Sequence, residues 1–165
     1  MSESKSIFFK RLYFCCSNLQ QLRYFLELAY NGKNYFGYQI QPNQISVQEV
    51  IEDRLSKILR KKISIVGAGR TDAGVHAKKM YIHFDYEEEL DVDLIKKLNS
   101  FLPKDIAVYR LFLMDDEAHA RFDATSRSYN YFLSPIKDPF LFESAWNFHR
   151  SLDVEKMNNA AKLLI

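Results

Sequence analysis

The sequence predicts an α+β fold of the split-βαβ, ferredoxin-like kind, an antiparallel sheet with helices on one face. Three observations predict it. Apolar periodicity alternates between strand and helix spacing in the order βαββαβ between residues 23 and 113. Turn and cap residues fall at the junctions. A glycine-rich loop, 67–77, separates the two middle strands.

Residues 23–30, RYFLELAY, are aromatic and apolar enough for a strand. Asn31-Gly32 then marks a turn, since both tolerate positive φ. Residues 35–39 read as a short extended piece before the loop Gln41-Pro42-Asn43. Ser46 and Glu49 have capping-box spacing, so Ser46 opens a helix. Val47, Val50, Ile51, Leu55, Ile58 and Leu59 form its apolar stripe. Arg60-Lys61-Lys62 suits its negative C-terminal end. Residues 63–66 are a β-branched strand, and 79–85 alternate, with Met80, Ile82 and Phe84 opposite Tyr81 and His83. A second helix spans 91–102, closed by Pro103, and a strand follows at 106–113. Beyond the acidic stretch Asp115-Asp116-Glu117, a strand at 127–133 and a helix from Asp153 begin a further unit.

The chain has 165 residues, room for one domain and part of another. Apolar residues make up 47% and charged residues 27%, which excludes wholesale disorder. No apolar run is long enough for a membrane helix, so no membrane partner is expected. The net charge of +2 hides an asymmetry. Residues 60–80 carry six bases against Asp72 alone, whereas 81–117 carry ten acids against four bases. A positive patch is one reading, and a solvated face beside an acidic helix is the other. Cys15 and Cys16 are neighbours, poorly placed for a disulfide, and no zinc-ligand spacing exists. These features predict a reducing cytoplasmic setting and no metal. Lys10 and Arg11 interrupt the apolar start, so residues 1–22 read as a poorly ordered extension rather than a signal peptide.

The loop 67–77 reads GAGRTDAGVHA. Three glycines let the backbone approach a ligand closely, and Arg, Thr, Asp and His supply polar chemistry. It is not a Walker A loop, since the required Lys is missing, and Asp72 occupies the third glycine of a dinucleotide fingerprint. On spacing alone, a hairpin loop with a structural Asp is an equal alternative.

GRTDAGVHA, residues 69–77, resembles the signature of the tRNA pseudouridine synthase A family. RYFLELAYNGKNYFGYQ resembles that family's first strand and turn, QPNQISVQEVIEDRL its first helix, and AHARFDATSRSYNYFL its second conserved region. Tyr38 stands where many members have Trp. The resemblance implies a pseudouridine synthase fold and isomerisation of uridine to pseudouridine in the tRNA anticodon arm, at tRNA positions 38, 39 and 40. It implies no cofactor, tRNA as partner, and a homodimer with a basic cleft.

The resemblance also implies residue roles. Asp72 matches the catalytic aspartate, able to attack the sugar carbon or to stabilise charge there and help move a proton. Arg70 matches an arginine that orients it, and Tyr129 an active-site tyrosine able to stack on the base. His76, Lys78, Lys79, His119, Arg121 and Arg127 are candidate RNA contacts. The implied domains are 23–114, ferredoxin-like with the catalytic loop, and 115–165, the start of a second catalytic and RNA-binding half. Because the stripe Val154, Met157, Ala160, Ala161, Leu164 reaches Ile165 without a stop signal, the chain is expected to be an N-terminal portion. A non-catalytic RNA-binding module and a plain assembly domain of the same fold are the alternatives.

Overall fold

The computed structural model describes residues 21–164. The expected extension, apart from its last two residues, and both cysteines lie outside the described residues. Contacts divide the chain into two units, residues 1–124 and 125–165.

The first unit contains β1 (Leu22–Tyr30), α1 (Val47–Leu59), β2 (Val66–Gly67), β3 (Ala77–Tyr86), α2 (Asp93–Phe101) and β4 (Ile106–Met114). The strands form one antiparallel sheet in the order β2-β3-β1-β4. Period two places Tyr24, Leu26, Leu28 and Tyr30 on the same face as Met80, Ile82, Phe84 and Tyr86. These side chains form one buried cluster with Ile106 and Val108 of β4, Val47, Ile51 and Leu55 of α1, and Leu94 and Leu98 of α2. The helical stripe read from the sequence is thus the face that is buried. Ser46 caps α1, its Oγ accepting the Glu49 N–H at 3.2 Å. The helix ends at Arg60, whose φ of 54° is left-handed.

Two expectations in this unit are corrected. Residues 35–39 form no strand, since Gly37 turns the chain at φ 90° and the Tyr38 N–H bonds to Thr71 in another loop. The expected strand 63–66 shrinks to Val66–Gly67, paired with His83 and Ile82. Ile63 and Ile65 are buried, but their N–H groups donate to Ser56 Oγ and Glu52 Oε1 of α1 at 2.9 Å each. Side chains of the helix replace the ladder there.

The second unit contains β5 (Leu133–Ser134) and β6 (Trp146–Asn147), paired in parallel, and α3 (Val154–Ala161). Asp153 caps α3 by accepting the Lys156 N–H at 3.0 Å. The strand expected over 127–133 is corrected to Leu133–Ser134, because β6 offers only two residues to pair with. Among the described residues of this unit, Ser134 alone is buried. No helix among the described residues is long and apolar enough to cross a membrane.

Candidate active site

Residues 68–76 connect β2 to β3, and their shape is imposed by the segment that follows β1. The Tyr38 N–H donates to the Thr71 carbonyl at 3.0 Å, and the Gly74 N–H to the Tyr35 carbonyl at 3.2 Å. The Gly32 N–H donates to His76 Nδ1 at 3.0 Å. The hydroxyls of Tyr30 and Thr71 lie 2.9 Å apart and share a hydrogen bond. A bond from the Val75 N–H to the Asp72 carbonyl, 3.2 Å, closes a tight turn. Gly74 takes φ 78° in it, a conformation that disfavours a side chain. Gly37, on the facing segment, also needs to be glycine: a Cβ there would lie 2.5 Å from the Thr71 carbonyl oxygen.

These anchors sort the polar residues of the loop. Thr71 and His76 use side-chain atoms to hold the loop in place. Arg70 and Asp72 are exposed, and among the described residues neither side chain engages an ion pair or hydrogen bond. A carboxylate is therefore presented to solvent on a backbone fixed from both sides. Beneath the loop, Tyr30 and Tyr38 are buried with ring centroids 6.3 Å apart. Burial pushes the Tyr30 phenol up, partly offset by its bond to Thr71. Burial, with Tyr30 and Glu52 nearby, pushes Tyr38 up much further. Both rings stay neutral, so the floor of the loop adds no charge near Asp72.

The face of the sheet away from the core carries Phe25, Glu27, Tyr81 and His83. Glu27, in the middle of an apolar strand, is buried and accepts a bond from the Tyr81 hydroxyl at 3.1 Å. Lys79 approaches the same carboxylate at 3.8 Å and Arg110 at 4.0 Å. Lys78 is exposed at the start of β3. His119 packs edge-on against His83, centroids 4.7 Å apart, and stacks on Phe122 at 4.1 Å. Arg121 beside it is exposed. Arg127 and Tyr129 belong to the second unit, where Tyr129 is 65% exposed.

Sequence reasoning did not assign Tyr30, Tyr35 or Tyr38 to the support of the loop, nor single out His83. The alternation in β3 turns His83 away from the core, but nothing local in the sequence shows that this face is covered, leaving it only 4% exposed.

Residues 28–123 match the family described as tRNA pseudouridine synthase. The chain belongs to this family. It is 55% identical over 144 residues to the tRNA pseudouridine synthase A of Parabacteroides distasonis, a match covering 86% of this chain and 57% of that protein. The protein of the same name from Bacteroides fragilis is 53% identical over the same shares. That from Thermosipho africanus is 43% identical, over 86% of this chain and 59% of its own length. The chain thus spans rather more than half the length of the curated relatives it matches.

Proposed function

We propose that this chain carries the catalytic loop of a tRNA uridine isomerase, with Asp72 as the catalytic residue. The observation that carries the proposal is the geometry of the 67–77 loop. Its backbone is clamped to the Tyr30–Tyr38 segment while the Asp72 carboxylate faces solvent without a partner among the described residues. In the proposed reaction the N1–C1′ bond of uridine breaks, the uracil turns over, and a C5–C1′ bond forms. N1 gains a proton and C5 releases one, so the atoms balance and no oxidant or cofactor is required. Asp72 acts at the sugar, as nucleophile or as charge-stabilising proton carrier.

The target nucleotide must leave the helical stack for this chemistry. Arg70 orients Asp72 or fills the space of the extruded base. Tyr129 stacks on the uracil, an interaction of roughly 1–3 kcal/mol for comparable base–aromatic pairs. His76, Lys78, Lys79, His119, Arg121 and Arg127 serve as RNA contacts, with uridines 38, 39 and 40 of the anticodon arm as targets, in a cytoplasmic homodimer. The strand order β2-β3-β1-β4 supports a ferredoxin-like split βαβ for the first unit, and residues 115–165 would begin the second half of a pseudouridine synthase fold.

The test is tritium release from C5-labelled uridine in tRNA. Asp72→Asn keeps the size of the side chain and removes its charge. Release is expected to fall by about 100-fold or more with tRNA retention on a filter unchanged. Undiminished release by the variant would overturn the assignment of Asp72.

A further inference from the structure

Residues 115–123 follow β4 and return across the open face of the sheet. Two side chains of that face hold them. The Ala120 N–H donates to His83 Nδ1 at 3.1 Å, with both residues buried. The Arg23 guanidinium donates to the Ala118 carbonyl at 3.0 Å while gripping both oxygens of Asp85 at 2.8 and 2.9 Å. The segment is also closed on itself. His119 Nδ1 accepts the Arg121 and Phe122 N–H groups, each at 3.2 Å, and the His119 N–H donates to Asp123 Oδ2 at 2.7 Å.

A nitrogen that accepts a hydrogen bond carries no proton. The bond to Ala120 therefore requires the neutral imidazole of His83, protonated on Nε2. We infer that His83 is a positioning residue: its unprotonated Nδ1 latches residues 118–123 onto the sheet, and protonation there releases them. The functional consequence rests on the reading above, since this segment presents His119 and Arg121.

The surroundings favour the latched state. Phe25 stacks on the imidazole at 5.4 Å and excludes water from one side. Burial, then the positive Arg23, then His119 depress the affinity of His83 for a proton; Asp85 and Asp123 oppose this. The sign follows from linkage. With the folded pKa below the ordinary 6.5, the latched state binds fewer protons than the released one. Latching is then complete above about pH 6.5 and weakens as pH falls toward the folded value. Asp85, held down by its bonds from Arg23, loses its stabilising charge only at pH values below the ordinary 3.8, a separate window.

The experiment is amide exchange in the full chain between pH 7.5 and 4.5, with rates corrected for intrinsic exchange. Protection of the Ala120 amide should fall by up to tenfold per pH unit below about 6.5. His83→Asn offers an amide oxygen near the position of Nδ1 and cannot titrate; it should keep the protection and lose the pH dependence. His83→Leu should lose the protection at every pH. His119→Asn should retain the pH dependence, separating the two imidazoles. Should the Asn variant fold poorly, the ¹⁵N spectrum of wild-type His83 at pH 7.5 decides: a proton on Nε2 supports the latch. A proton on Nδ1, protection independent of pH, or pH dependence that disappears in His119→Asn and persists in His83→Asn overturns it. None of these readouts uses tRNA, so failure of the isomerase reading would leave them unchanged.

Discussion

Helices α1 and α3 present apolar residues at the same local spacing, with different results. In α1, capped by Ser46, Val47, Ile51 and Leu55 are fully buried against the sheet. In α3, capped by Asp153, Val154 is 60% and Met157 49% exposed, and no residue of the helix is buried. The caps are equivalent, and what differs is whether the described residues offer the helix a surface to pack against. Cap and periodicity are enough to set a helix, since its hydrogen bonds are internal. Stability comes from the tertiary face. Strands make the same point more severely: β1 has partners on both sides, while among the described residues β5 and β6 have only each other.

The largest test of this contrast is a cavity. Leu26→Ala, at the centre of β1 and fully buried, should cost about 2–5 kcal/mol in urea unfolding. Phe140→Ala, at an exposed aromatic of the second unit, should change stability by no more than about 0.5 kcal/mol. Comparable losses from the two would break the distinction between the units. Gly37→Ala comes next. It places a side chain at φ 90° against the Thr71 carbonyl, with an expected cost of about 1–3 kcal/mol. Weaker amide protection at Tyr38 and Gly74 should accompany it, because the clamp on the Asp72 loop is what moves. Retained protection with an unchanged urea midpoint would mean that the loop does not depend on that approach.

Legibility from the sequence follows the same division. Strands β1, β3 and β4 and all three helices were readable within a few residues, since their signals lie inside each segment: alternation in KKMYIHFDY, the cap and stripe after Ser46. The ladder of residues 63–66 was not, because no local rule shows Ser56 and Glu52 taking over their N–H groups. The strand at 127–133 failed for a related reason, its alternation being real and its partner missing among the described residues. At the candidate site, GRTDAGVHA displayed the polar side chains. Its support was hidden in pairings 33 to 44 residues distant, from Tyr38 with Thr71 to Gly32 with His76.

A smaller effect separates local from global stability. Asp153→Ala removes the cap of α3 and should weaken that helix by about 1 kcal/mol. Exchange of the first-turn amides of α3 should quicken, while the urea midpoint of the first unit stays fixed. A shift of that midpoint would show that the units unfold together.

The smallest effect compares two phenols under one loop. Tyr30 shares a hydrogen bond with Thr71, whereas the Tyr38 hydroxyl is buried with no partner among the described residues. Removing a hydroxyl that makes a bond should lose about 1 kcal/mol, and removing one that is desolvated and unpaired should lose nothing or gain a similar amount. Tyr30→Phe is therefore expected to lower the urea midpoint and Tyr38→Phe to hold or raise it. Both rings keep their apolar contacts in these variants, so the difference isolates the hydroxyls. A midpoint lowered equally by Tyr38→Phe would mean that this hydroxyl finds a partner in solution, and the clamp on the loop would then rest on two phenols rather than one.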